Sequence, residues 1–214
     1  FGIDLGFQFF LDYRYELAQP NTALRANQGA LTRPYSAFEC QRSIIDIKRS
    51  FSKNMRARLV LDNRGPANGY AIYVRHVYGE VDLPSYATTF SFGEISNPLI
   101  PCDDGFWGWR VQGSSFLERE GLLTSGDWGL GLAVKPTKIP LEWVTTLTNG
   151  QGRTTQELNG GKAVETRLTW KVGQVPGLAL NGGYYLSKGG NSGAAVSANG
   201  ADSTSTRYVA SVYF

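Results

Sequence analysis

Arg56 and Arg58 stand two residues apart in MRARLVLD, and on a β-strand that spacing puts both guanidiniums on one face. Taken over every segment whose alternation is clear, that same row carries Arg14, Arg42, Lys48, Arg56, Arg58, Arg167, Lys171 and Arg207. These eight cations stand against six anions, Asp4, Asp12, Glu16, Asp46, Asp62 and Glu165. Two chemistries fit the row. Arginines facing one another from adjacent strands, Arg42 beside Arg56 and Arg58, set a field that favours anions, as rings of basic side chains do in anion pores. Alternatively, the charges pair across neighbouring strands and only keep the face polar.

Bond-making chemistry finds little to work with. There is no zinc-ligand spacing, no phosphate-cradling loop and no serine-hydrolase elbow, and the single histidine, His76, cannot supply a cluster or a triad alone. Ser50 and Lys53 match an isolated S-x-x-K at an expected tight turn, a short pattern that recurs by accident. The sequence therefore predicts no catalytic residue, no metal site and no cofactor, and the protein is not expected to be an enzyme.

The element that must position such a row is plainest in FGIDLGFQFFLDYRYEL. Ile3, Leu5, Phe7, Phe9, Leu11, Tyr13, Tyr15 and Leu17 alternate with Gly2, Asp4, Gly6, Gln8, Asp12, Arg14 and Glu16, and only Phe10 breaks the pattern. Period two is a β-strand, and its persistence for roughly fifteen residues exceeds the usual strand of about 5–6. A strand tilted by about 45° crosses a bilayer core in roughly 9–11 residues, with an apolar outer face and an inner face free to stay wet.

Composition narrows the class. The 214 residues are 42% hydrophobic, and no run is long and apolar enough for a membrane helix. A mean hydropathy of -0.24 does not exclude a membrane barrel, whose polar lumen hides the lipid-facing half from any average. Eleven Tyr, eleven Phe and five Trp suit interfacial girdles. The net charge of +3 is spread along the strands, which argues against nucleic acid as a partner. The start lacks a basic segment followed by an apolar run, so any secretory signal is expected to have been removed or never present.

The alternation predicts ten strands, near 2–17, 38–51, 54–63, 70–82, 86–96, 128–136, 139–149, 162–172, 178–188 and 206–214. Segments 18–37, 64–69, 97–127, 150–161 and 189–205 connect them as loops, mostly long, and 52–53, 83–85, 137–138 and 173–177 as tight turns. Alternating long and short connections are expected of an up-and-down outer-membrane barrel with both termini in the periplasm. In YAIYVRHVYGE both rows are apolar, so the register of the fourth strand stays open. RYVASVYF resembles the C-terminal signal of bacterial outer-membrane proteins, with Tyr208, Ala210, Val212 and Phe214 on one face.

The stretches FECQRSIIDIKRSFSKNMRARLVLD, TTFSFGEISNPLIP, WGWRVQGSSFLEREGLLTSGDWGLGL and LTNGQG together resemble bacterial porins related to the phosphate-selective porins O and P. The resemblance spans most of residues 1–190. It is most specific over 86–134, where Gly93, Pro98, Arg110, Gly121 and Asp127 match the family pattern. It implies one domain over 1–214, a water-filled outer-membrane channel whose loop 97–127 folds inward. That loop would bring Asp103, Asp104, Arg110, Glu118, Arg119 and Glu120 to the constriction. Such porins are larger barrels, of about sixteen strands, so the ten strands here either close by themselves or belong to a larger wall.

The sequence therefore predicts an all-β, transmembrane antiparallel barrel in the bacterial outer membrane, passing small hydrophilic solutes or ions with a weak anion preference. Outer-membrane lipid is its expected surrounding, and a homo-oligomer is compatible with it. Two other classes remain: a structural barrel that sheathes or anchors a partner, and a soluble β-sandwich that binds carbohydrate through Trp107, Trp109, Trp128 and Trp143. Strand counting puts Cys40 and Cys102 on the same extracellular side, where an oxidising setting predicts a disulfide tethering loop 97–127 to the wall.

Overall fold

The alternation becomes ten antiparallel strands in a computed structural model of the chain, which describes residues 2–16, 35–63, 70–108, 113–153, 157, 160–173, 177–188 and 204–213. The side chains of Arg14, Glu16 and Tyr35 lie outside that description, as do Arg110, Trp109 and Phe214 altogether. The strands are β1 (Ile3–Glu16), β2 (Tyr35–Ser50), β3 (Met55–Asn63), β4 (Ile72–Leu83) and β5 (Thr88–Ser96), followed by β6 (Gly126–Val134), β7 (Leu141–Thr148), β8 (Ala163–Lys171), β9 (Ala179–Lys188) and β10 (Thr204–Tyr213). Each lies within a few residues of its predicted span. They form one sheet in chain order, whose two edges, β1 and β10, are not paired with each other.

The two faces of this sheet are chemically opposite. One is bare and apolar: the row from Ile3 to Tyr15 in β1 is 52–69% exposed, and Ile72, Phe92, Trp128, Trp143, Leu168, Trp170, Tyr208 and Val212 continue it across the width. The other carries the charges. Register shows why the rows line up: Asp4 faces Lys48, Lys48 faces Arg58, and Thr169 faces Glu142 and Asn181, so each polar row continues into its neighbour.

Phase slips occur at two bulges. Gln41 is an extra residue on β2, where the register jumps from Phe10↔Arg42 to Leu11↔Cys40. On β4, Val60 faces His76 while Leu61 faces Val74, leaving Arg75 as the extra residue. This explains the ambiguous YAIYVRHVYGE: Ile72 and Val74 share the bare face with Val77, Gly79 and Val81, but the bulge resets the alternation between the two sets.

Between β5 and β6 the chain folds onto the charged face. Helix α1 (Ile100–Trp107) and the single turn α2 (Phe116–Arg119) lie there. Leu99, Ile100, Leu117 and Leu123 pack with Ala163 of β8 and Tyr185 of β9 in one buried cluster, with Val209 of β10 against it. Gly183 makes room for this docking. A Cβ there would sit 2.5 Å from Leu99 Cδ2, so the buried Leu99 side chain would have to shift. Loop 97–127 is thus anchored on β8–β10 by burial of apolar side chains, the dominant favourable contribution to such packing.

Candidate functional site

The charged face holds three acid–base groups across β2, β3 and β4. Asp62, whose side chain is 0% exposed, accepts from Arg42 through Nε at 2.8 Å and Nη2 at 2.5 Å, from Arg75 Nη1 at 3.0 Å and from the Tyr73 hydroxyl at 3.1 Å. Arg58 donates to both carboxylate oxygens of Asp46, at 2.8 and 2.9 Å, and to the Tyr78 hydroxyl at 3.1 Å. Lys48 lies 3.2 Å from the same Asp46. Arg56 meets Glu80 at 2.6 Å and also donates to Asp82, which accepts from Thr89 at 2.7 Å.

Bidentate pairing fixes a guanidinium in orientation as well as position. Here Asp46 holds Arg58 in that way, while Arg42 and Arg75 converge on one oxygen of Asp62, and all three arginines line a cavity of about 480 Å³ together with Asp46, His76 and Asp104. The arrangement has more guanidinium than carboxylate on its walls, yet every arginine in it is already paired.

On the far side of α1 a second cavity, of about 470 Å³, is lined by Glu80, Lys135, Glu142, Arg167 and Lys171 among hydroxyl-bearing residues. Arg167 pairs with Glu142 and donates to Thr169 at 2.6 Å and to Cys102 Sγ at 3.1 Å. Lys135 adds a contact to Glu142 at 3.4 Å, while Lys171 is exposed. Arg207 is drawn to the docked loop: it donates to the Leu122 carbonyl and sits 4.9 Å above the Tyr185 ring. Of the expected row, seven side chains are therefore on this face, and Arg14 lies outside the described side chains.

The loop's attachments are specific. Asn97 joins helix to wall, its Oδ1 accepting from the N–H groups of Leu99 and Ile100 at 2.7 and 3.2 Å while its Nδ2 donates to Glu165. Phe106 stacks on Tyr213 with centroids 4.0 Å apart and planes 6° from parallel. The Tyr213 hydroxyl donates to Asp103. Burial pushes the Asp103 carboxyl above its ordinary range, the bond from Tyr213 opposes that rise, and neighbouring Asp104 adds to it.

Not every expected loop residue reaches the cavities. Asp104 lines the first, but Glu118, Arg119 and Glu120 line neither, and Arg119 pairs with Glu120 at an exposed position. Arg110 lies outside the described residues. The expected disulfide is corrected: both cysteines are free thiols. Cys40 faces Leu11 on the bare face, whereas Cys102 sits on α1 against Arg167 of β8, so the sheet itself separates them. The described tryptophans of that set make no common platform either. Trp128 and Trp143 are on the bare face and Trp107 on α1, with Trp109 not described.

Arg75, Tyr78, Glu80, Asp82, Glu142 and Arg153 went unpredicted. Arg153 donates to the Arg75 carbonyl at 3.2 Å and to Ser125, and lies 3.8 Å from the buried Glu94. The β4 residues were hidden by the bulge. The available signal was the fresh alternation Tyr78, Glu80, Asp82 starting just after His76. Among the described residues no group of His, Cys, Asp and Glu is arranged to hold a metal ion, and no helix is long and apolar enough to cross a membrane, which says nothing about strands.

In comparison with known proteins, no family model matches the chain and no curated protein matches it. The likeness to the phosphate-selective porins therefore rests on the stretches quoted above.

Proposed function

We propose that this chain forms wall and constriction of a bacterial outer-membrane β-barrel through which small hydrophilic solutes diffuse passively, with a weak preference for anions. One observation carries the reading. A single sheet exposes large apolar side chains across the whole of one face, while the opposite face is lined with ion pairs and partly covered by a folded loop. Water would penalise the first face and lipid the second, so a barrel wall is the setting that suits both.

Solutes would pass on the charged face, beside α1. The weak anion preference follows from Arg42, Arg58 and Arg75 being lined up but already paired. β1 begins and β10 ends at the edge with the tight turns, which this reading assigns to the periplasm. It also requires both sheet edges to be paired in the membrane, because nothing in hydrocarbon satisfies free backbone N–H and C=O groups.

The test is reconstitution in a planar bilayer, reading conductance steps and reversal potential across a salt gradient. Arg56→Glu combined with Arg58→Glu is expected to move the reversal potential towards cations. Absence of steps from folded protein rejects a channel and leaves the sheath as the better reading. An unchanged reversal potential removes these arginines from the conducting path.

A further inference from the structure

Helix α1 is committed to the wall along one side, through Leu99 against Gly183, Cys102 against Arg167 and Phe106 against Tyr213. Pro101 and Gly105, four residues apart, form another side. These two residues line both cavities, the one facing β2–β4 and the one facing β5–β8.

Gly105 has none of the usual reasons to be glycine. It lies inside the helix, is not among the positive-φ glycines, and a Cβ built on it meets no atom within 4 Å. A helix-interior glycine loses more backbone entropy on folding than alanine would, and here neither strain nor a close neighbour requires it. What it supplies is empty space on the ridge between the two cavities. Pro101, one turn earlier, sits in the first turn of the helix, where its missing N–H costs nothing and its ring keeps the ridge stiff.

We infer that Gly105 is the clearance point of the path past α1, the residue whose lack of a side chain sets how large a hydrophilic solute can move from one cavity to the other. The inference rests on the channel reading and adds the residue that limits size. Hydrated inorganic ions pass freely, and larger organic anions are slowed in proportion to the bulk at this position.

The experiment is single-channel conductance of Gly105→Ala, Gly105→Val and Gly105→Trp in potassium chloride and in potassium gluconate. Gly160→Trp is the control, because a Cβ at Gly160 would likewise meet no atom within 4 Å, yet Gly160 lines neither cavity. Conductance is expected to fall stepwise with side-chain volume, by about threefold or more for Trp, since pore diameter sets passage. Gluconate should suffer more than chloride, and the control should match the unmodified protein. Gly105→Cys in a Cys40→Ser, Cys102→Ser background, treated after insertion with a thiol-reactive sulfonate, repeats the test on a channel that has already folded; block on addition is expected. Wild-type conductance from Gly105→Trp, or no block of the cysteine variant, overturns the assignment. If the unmodified protein folds and inserts but never conducts, the channel reading falls, and this inference with it.

Discussion

The strands β2–β4 and the strands β8–β10 present the same charged face, yet they use it differently. In β2–β4, arginines and carboxylates pair across the sheet and line an open cavity. In β8–β10 the same face is buried beneath Leu99, Ile100, Leu117 and Leu123, and its polar groups serve as anchors: Glu165 for Asn97, Arg167 for Cys102, Tyr213 for Asp103. One half keeps charge next to space, and the other packs the loop against its apolar side chains, although Arg167 and Lys171 of β8 still line the second cavity. A single amphipathic sheet can do both because its residues differ in size: Gly183, Ala163 and Val209 leave room for a helix, whereas Arg42, Arg58 and Arg75 do not.

The largest expected effect tests the charged half. Asp62→Ala leaves Arg42 and Arg75 facing each other without their shared acceptor, and should cost about 3–5 kcal/mol. Asp46→Ala, at a more exposed pair, should cost about 1 kcal/mol or less. Urea unfolding from lipid vesicles measures both, and equal costs would abolish the distinction between the buried carboxylate of Asp62 and the cavity-lining one of Asp46.

The bare face is common to both halves, so a charge placed there should be costly wherever it is tried. Phe9→Arg is expected to lose about 2–4 kcal/mol of folding stability in vesicles, against little for Gln8→Arg on the opposite row. Equal tolerance of the two would reject lipid as the medium outside the sheet.

Leu99→Ala tests the anchored half. It should cost about 2–3 kcal/mol of loop docking by leaving a cavity against Gly183 and Tyr185, and it should speed amide exchange in α1 without touching β2–β4. Faster exchange spread equally over β2–β4 would mean that the two halves are not separable.

A smaller effect concerns pH. Because burial raises the Asp103 carboxyl in the folded loop, docking binds a proton more tightly than the undocked loop does. Its contribution is fully present below the ordinary aspartate range and declines as pH rises through the raised value, so α1 should hold more firmly in acid. Asp103→Asn should flatten the dependence, read as exchange of α1 amides against pH. A slope that survives the substitution assigns it to another group.

How much of this could be read in advance varies along the chain. In β3 and β8 the alternation runs unbroken, and Arg56, Arg58 and Arg167 fell on the correct face from spacing alone. In β4 a single extra residue, Arg75, inverts the phase, so Glu80 and Asp82, the partners of Arg56, were not legible. The cysteines show a different limit. Counting strands placed them at the same end of the sheet but could not say which face each occupies, and the Gln41 bulge together with the docking of α1 decided that.

The sequence by itself determined the strands, their order and which row is oily, because a period of two is a local property that backbone geometry enforces residue by residue. It also set the glycine at 105 and the row of arginines. Only the tertiary structure decided which carboxylate each arginine meets, where loop 97–127 lies and which half of the face stays open. Those outcomes depend on contacts between residues up to about a hundred positions apart, such as Asp103 with Tyr213, and on bulges whose position is settled by pairing with the neighbouring strand.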